Sequence, residues 1–162
     1  MNTSAQYVPP KQGIALRLPQ RSYTNDLQHC LAPILYSSET GIVAMAHVYD
    51  PFGPARYSAD NVIDSLIEDM IAQDLRVSPS SIRASLVGEQ TVSVGMPTSR
   101  TSKVTTALQK YKIPIIHKVL GGYFWKKVCV LESPEIVVEE YLQDSVRRYG
   151  EFHAEKEHWL RL

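Results

Sequence analysis

Two apolar runs separated by a short polar turn constrain the fold more than any other feature: LAPILYS, Leu31 to Ser37, and GIVAMAHVYD, starting at Gly41. Their length, apolar content and bounding turn residues predict strands. In both runs apolar residues occupy either face of the two-residue alternation, so the sheet that holds them must be covered on both sides. Pro33 adds a restriction, because it lacks a ladder donor and favours an edge or a bulge. His47 stands deep in the second run, and Cys30 immediately precedes the first.

The remaining segments supply layers to cover such a sheet. SADNVIDSLIEDMIAQDL is a helix by period, with Val62, Ile63, Leu66, Ile67, Met70 and Ile71 on one face and Ser58 or Asp60 as its cap. SRTSKVTTALQKYK predicts a second helix on the stripe Val104, Ala107, Leu108 and Tyr111. GIALRLP, IRASLVGEQTVSVG, IPIIHKV, YFWKKVCVLE and EIVVEEYL read as further strands, with turns at Gly121-Gly122 and Ser133-Pro134. RSYTNDLQHC is polar and reads as loop. This mixture of strand pairs and helices predicts an α/β or α+β layered sandwich. Residues 1–12 form a flexible lead-in, 13–142 the folded domain, and 143–162 a charged tail. That tail carries a broken stripe of Val146, Tyr149, Phe152, Trp159 and Leu160, compatible with a helix.

Several function classes become poor expectations. Seventeen basic residues balance seventeen acidic ones, with no Lys/Arg stripe interleaved with aromatics, which argues against nucleic acid as a partner. No apolar run approaches the roughly 18 residues needed to span a bilayer, and the N-terminal segment lacks a signal-peptide core, so a cytoplasmic location is expected. Two cysteines, Cys30 and Cys129, fit free thiols better than a disulfide scaffold. No phosphate-loop, Cys-x-x-Cys or His-Glu-x-x-His pattern is present. A metal site from His29, Cys30 and His47 has no evident fourth ligand.

The hairpin permits a geometric expectation. If Tyr36 faces Gly41, stepping outward pairs Leu35 with Ile42, Ile34 with Val43 and finally Cys30 with His47. Opposed residues share a sheet face with β-carbons about 4.5–5.5 Å apart, so a thiol and an imidazole there can meet. An imidazole can activate a thiol for attack and then protonate a leaving amine. Thr24, Asn25 and Asp26, upstream of Cys30, are candidates to orient the ring. The alternative is structural, since buried free cysteines are common and strand histidines usually donate to a carbonyl. His117 and Cys129 read as a strand histidine and a core cysteine. His29 either tunes its neighbour or fills a loop. Arg100, near a helix start, either binds an acidic group or is solvated.

Thr24, Cys30 and Ala46-His47 stand in order, with gaps of six and 17 residues. In this the chain resembles the CheD family of chemoreceptor glutamine deamidases, in which a threonine strand leads to a cysteine and a hairpin returns through an Ala-His pair. RYSADNVIDSLIEDM is similar to the entry to that family's first helix, Arg100 falls where an Ile-Gly-x-Arg-Asn motif lies, and VLGGYFWKKVCVLE is similar to its Asp-x-Gly-Gly strand pair. The resemblance covers roughly Gly13 to Leu142. It implies two packed sheets with two main helices on one side. It further implies a cysteine amidohydrolase acting on protein glutamine, with Cys30 as nucleophile, His47 as base and Thr24 as orienter, and with no cofactor or metal. The substrate would be a chemoreceptor or another glutamine-bearing protein, and a CheC-type phosphatase a partner. A non-catalytic regulatory module is the rival implication. The chain departs from the pattern at Gln28-His29, where the family has Gly-Ser, at Gly88-Glu89-Gln90 in place of a glycine pair, at Pro97-Thr98 and Thr101 around Arg100, and at Leu120.

Overall fold

The structure, a computed structural model, describes residues 4–89, 100–122, 124–142 and 154–162. Its elements run β1 (Gln6–Tyr7), β2 (Gly13–Arg17), β3 (Ser22–Leu27), β4 (Leu31–Ser37), β5 (Ile42–Ala46), α1 (Val62–Gln73), a short 3-10 turn (Pro79–Ser81), β6 (Ile82–Gly88), α2 (Arg100–Lys110), β7 (Ile115–Leu120), β8 (Trp125–Val130), β9 (Glu135–Tyr141) and β10 (Lys156–Arg161). Two mixed five-stranded sheets result, ordered β2-β5-β4-β6-β7 and β1-β3-β8-β9-β10. This is the α+β layered architecture expected from the sequence.

The continuous apolar runs explain the layering. Every residue of β4 and β5 is buried. Leu31, Leu35, Ile42, Ala44, Ala46 and Val48 face α1 and α2, packing with Val62, Ile63, Leu66, Met70, Val104 and Leu108. The alternate residues Cys30, Ala32, Ile34, Tyr36, Val43 and Met45 face the second sheet, meeting Leu27, Val128, Val130, Ile136 and Val138. The order is therefore helices, first sheet, second sheet. β6 and β7 run parallel, and α2 provides the crossover that a parallel pair requires.

Several expectations are corrected. Pro33 lies in the central strand of its sheet, with no bulge. The β4–β5 ladder stops at Ile34↔Met45 and resumes only at an isolated Leu31↔Val48 bridge. Both backbone bonds link Leu31 and Val48, so by alternation Pro33 would have donated to Ala46; without an N–H it leaves that rung open. RSYTNDLQHC contains the strand β3, whose inward residues Ser22 and Thr24 are small and polar and hide the apolar signal. The lead-in includes β1, which pairs in parallel with β3, followed by the buried Val8. Neither Ser58 nor Asp60 caps α1. The Ser58 hydroxyl donates to the Gly53 carbonyl and Asp60 accepts the Gly53 N–H, while Asn61 occupies the cap position without a side-chain cap bond. Within the tail, Lys156–Arg161 is a strand antiparallel to β9, not a helix; Val146, Tyr149 and Phe152 lie outside the described residues.

Candidate functional site

The hairpin register differs from the expected one by two residues. Ser37 pairs with Ile42, Tyr36 with Val43 and Ile34 with Met45, and Gly41, at φ 70°, closes the turn with its N–H on the Ser37 carbonyl. Continued outward, this register sets His47 across from Ala32 and Cys30 across from Tyr49. A slip of one would have reversed the faces; a slip of two preserves them. Cys30 and His47 are therefore diagonal neighbours on the inter-sheet face, a separation of about 7–8 Å between positions that long side chains can bridge. No S–H···N hydrogen bond links them: the His47 Nε2 is buried and has no partner among the described residues.

The other end of the ring is fixed. Thr24 Oγ1 lies 2.8 Å from His47 Nδ1 and 2.7 Å from the Val8 carbonyl oxygen. A carbonyl only accepts, so the single hydroxyl proton goes to Val8 and the hydroxyl oxygen accepts from Nδ1–H. The proton of the neutral ring thus sits on Nδ1, and Nε2 keeps its lone pair. Thr24 comes from the second sheet and His47 from the first, so this bond crosses the layer between them. Burial, opposed by the Asp26 charge and the Val8 carbonyl, depresses the imidazole pKa from 6.5 to about 4. Burial raises the Cys30 thiol pKa; the Arg100 guanidinium opposes this, while Asp26 and Asp50 add to it. The resting pair is a thiol and a neutral imidazole.

Of the three orienter candidates, only Thr24 reaches the ring. Asp26 is turned to Tyr141, whose hydroxyl donates to its carboxylate at 2.9 Å and accepts its backbone N–H at 3.1 Å. Asn25 and Asp26 sit at an irregularity in the β3–β8 register. Asp26 adopts φ 55°, a left-handed conformation that aspartate tolerates better than most residues. The left-handed residue is therefore Asp26, within β3, and the chain bends at Gln28 and His29 without either adopting a positive φ. This accounts for the absence of glycine there.

Arg100 opens α2, and its Nε donates to the Tyr49 carbonyl at 2.6 Å, beside the Cys30 end of the hairpin. The remaining singled-out residues lie elsewhere. His29 is exposed. His117 Nε2 bonds the Arg161 carbonyl at 2.7 Å on the far strands. Cys129, expected in the core, is only half-buried, because Lys126, Val128 and Val130 are the inward residues of β8. Lys126 is fully buried, donating to the Gly121 and Phe124 carbonyls and pairing with Glu140 at 3.5 Å. Sequence reasoning missed Val8, whose contribution is a backbone carbonyl that no side-chain pattern announces. Pro97-Thr98 and Gln90 lie outside the described residues. Among the described residues, no cluster of three or more His, Cys, Asp or Glu side chains could hold a metal, and no helix is long and apolar enough to cross a membrane.

No family model and no curated protein matches the sequence. Among solved structures, the hypothetical protein YfiH of Bacillus licheniformis matches with a TM-score of 0.47 and 12% identity. The match covers 73% of this chain and 59% of that one, and at that level the likeness carries no argument about chemistry.

Proposed function

We propose that this chain is a cysteine amidohydrolase that converts glutamine side chains of a protein substrate to glutamate, as CheD-type deamidases do on chemoreceptors in chemotaxis signalling. The observation that carries the reading is the Thr24–His47 bond across the sheets, which keeps a proton on Nδ1 and leaves Nε2 as an unpartnered base on the face that Cys30 shares. Nε2 takes the thiol proton as sulfur attacks the carboxamide carbon. It delivers that proton to the nitrogen, which leaves as ammonia. Water, deprotonated by the same Nε2, then hydrolyses the thioester and restores the thiol. Because the resting pair is neutral, His47 acts as a general base from the start and does not stand beside a preformed thiolate. Closure of the gap between sulfur and Nε2 accompanies substrate binding, since such bonds often tighten only in the complex. Arg100, anchored on Tyr49, is the candidate contact for polar groups of the substrate.

The open gap and the doubly neutral pair equally favour a second reading. In that reading the chain is a regulatory module of the same build that binds a CheC-type phosphatase without catalysis. One experiment separates the two. Glutamine-bearing chemoreceptor fragments are incubated with wild type and with Cys30→Ala, and glutamate formation is followed by mass spectrometry. The enzyme reading expects conversion that falls by about 10⁴ or more in the variant. Equal silence from both proteins, with phosphatase binding retained, would establish the module. Conversion of glutamine in a different protein, lost in the same variant, would redirect the substrate and keep the chemistry.

A further inference from the structure

Glu89 is a buried carboxylate outside the triad. It follows Gly88, whose φ of 133° and lack of a side chain allow the chain to pass the Cys30 carbonyl; a β-carbon there would come within 2.2 Å of that oxygen. Glu89 itself adopts φ 44°, unusual for a residue with a long side chain. Three sets of bonds hold it. Its N–H donates to the Cys30 carbonyl at 2.9 Å, and its own carbonyl accepts the Gly121 N–H at 2.7 Å. Its carboxylate accepts the Thr101 backbone N–H at 3.1 Å and the Thr101 hydroxyl at 2.6 Å.

Thr101 is the second residue of α2 and directly follows Arg100. One residue is therefore bonded through its backbone to the cysteine and through its side chain to the first turn of the helix that begins with the arginine. The acidic group is also in the place where a helix N-terminus favours negative charge. The second anchor of Arg100 is the Tyr49 carbonyl, across the hairpin from the same cysteine.

We propose that Glu89 is a positioning residue that sets the Arg100 guanidinium beside Cys30, coupling the nucleophile's strand to the start of α2. It rests on Cys30 being the nucleophile but not on the reaction being deamidation. Its consequence is electrostatic. The charged groups that act on the thiol are Arg100 on α2, Asp26 in β3 and Asp50 after the hairpin, with the neutral His47 alongside. Arg100 is the one that favours the thiolate, and Glu89 acts through it.

The test reads thiol chemistry alone, so failure of the deamidase reading leaves it intact. Iodoacetamide alkylation of Cys30 is followed across pH by peptide-resolved mass spectrometry, which separates it from Cys129. In Arg100→Gln the rate at neutral pH falls several-fold. In Glu89→Ala it falls equally, and in the double variant no further, while thermal unfolding confirms that each variant is folded. Glu89→Gln, which keeps an acceptor for the Thr101 amide and a partner for its hydroxyl, restores the wild-type profile. Additive losses, an unchanged rate in Glu89→Ala, or an unchanged rate in Arg100→Gln would each overturn the proposal. If Glu89→Ala does not fold, Thr101→Val decides, because it deletes only the hydroxyl contact. A fall in the same direction supports the coupling, and an unchanged rate ends it.

Discussion

Replacing Thr24 with valine keeps the shape of the side chain and removes a hydroxyl that joins the two sheets at the site. Thr24 has no exposed surface, and its hydroxyl makes bonds of 2.7 and 2.8 Å. The variant leaves the Val8 carbonyl and the His47 Nδ1–H to find new partners in a buried layer. An unsatisfied buried polar group costs about 1–3 kcal/mol, so two of them are expected to cost about 2–6 kcal/mol. Capture of Nδ1–H by the Val8 carbonyl would hold the loss near the lower end. That is a large share of the roughly 5–15 kcal/mol that stabilises a typical domain. Thr24→Ser keeps the hydroxyl and loses only a buried methyl, worth about 1 kcal/mol. The assay is urea denaturation of all three proteins, with the difference read from the midpoint at unchanged slope. The hydroxyl argument would be refuted if Thr24→Val were as stable as Thr24→Ser.

Two further perturbations address the same layer. His47 titrates near 4 when folded and near 6.5 when unfolded, so the unfolded chain takes up its proton first as pH falls. Stability from this source is full above pH 6.5 and declines between 6.5 and 4, by at most about 3 kcal/mol. Urea titrations at a series of pH values should show this slope flattened in His47→Gln, and an identical slope in that variant would remove His47 as its cause. Lys126→Met removes one partner of Glu140, which keeps the His158 ring at 2.9 Å, and strips the Gly121 carbonyl of its donor. The expected loss is about 1–3 kcal/mol, seen as a lower melting temperature. A loss below about 1 kcal/mol would mean that the pair contributes nothing beyond its apolar stem.

The sequence made the first sheet and its helices legible because their signals are apolar and periodic. β4, β5 and α1 bury long runs whose spacing has one reading. β3 was opaque for the opposite reason: its inward positions include the polar Ser22 and Thr24, and the Thr24 hydroxyl bonds across the layer. The same polarity that hid the strand is what the site uses. Thr24, Cys30 and His47 could be named from the family resemblance, but counting set Cys30 directly opposite His47, where the structure makes them diagonal neighbours. The turn has the expected four residues but is shifted by one, to Ser38–Gly41 in place of Ser37–Thr40, and that shift sets the register. Val8 and Glu89 contribute through backbone groups or through an unusual φ, features that residue identity does not encode. Lys126 defied its strand's hydropathy because two carbonyls and Glu140 receive its ammonium inside.

The cross-sheet bond between Thr24 and His47 also bears on how the chain reaches its working form. Every residue of the proposed triad lies within the first 48 positions, yet the strand that carries Thr24 is paired by only two residues of β1 and by β8, about a hundred positions downstream. Long-range pairing of that kind forms late and slowly, since loop closure precedes any gain from the contact. A nascent or truncated chain can hold Cys30 and His47 on their hairpin without the hydroxyl that sets the ring. An exposed thiol would thus be present well before an oriented base, and reactivity at Cys30 reports the arrival of the second sheet.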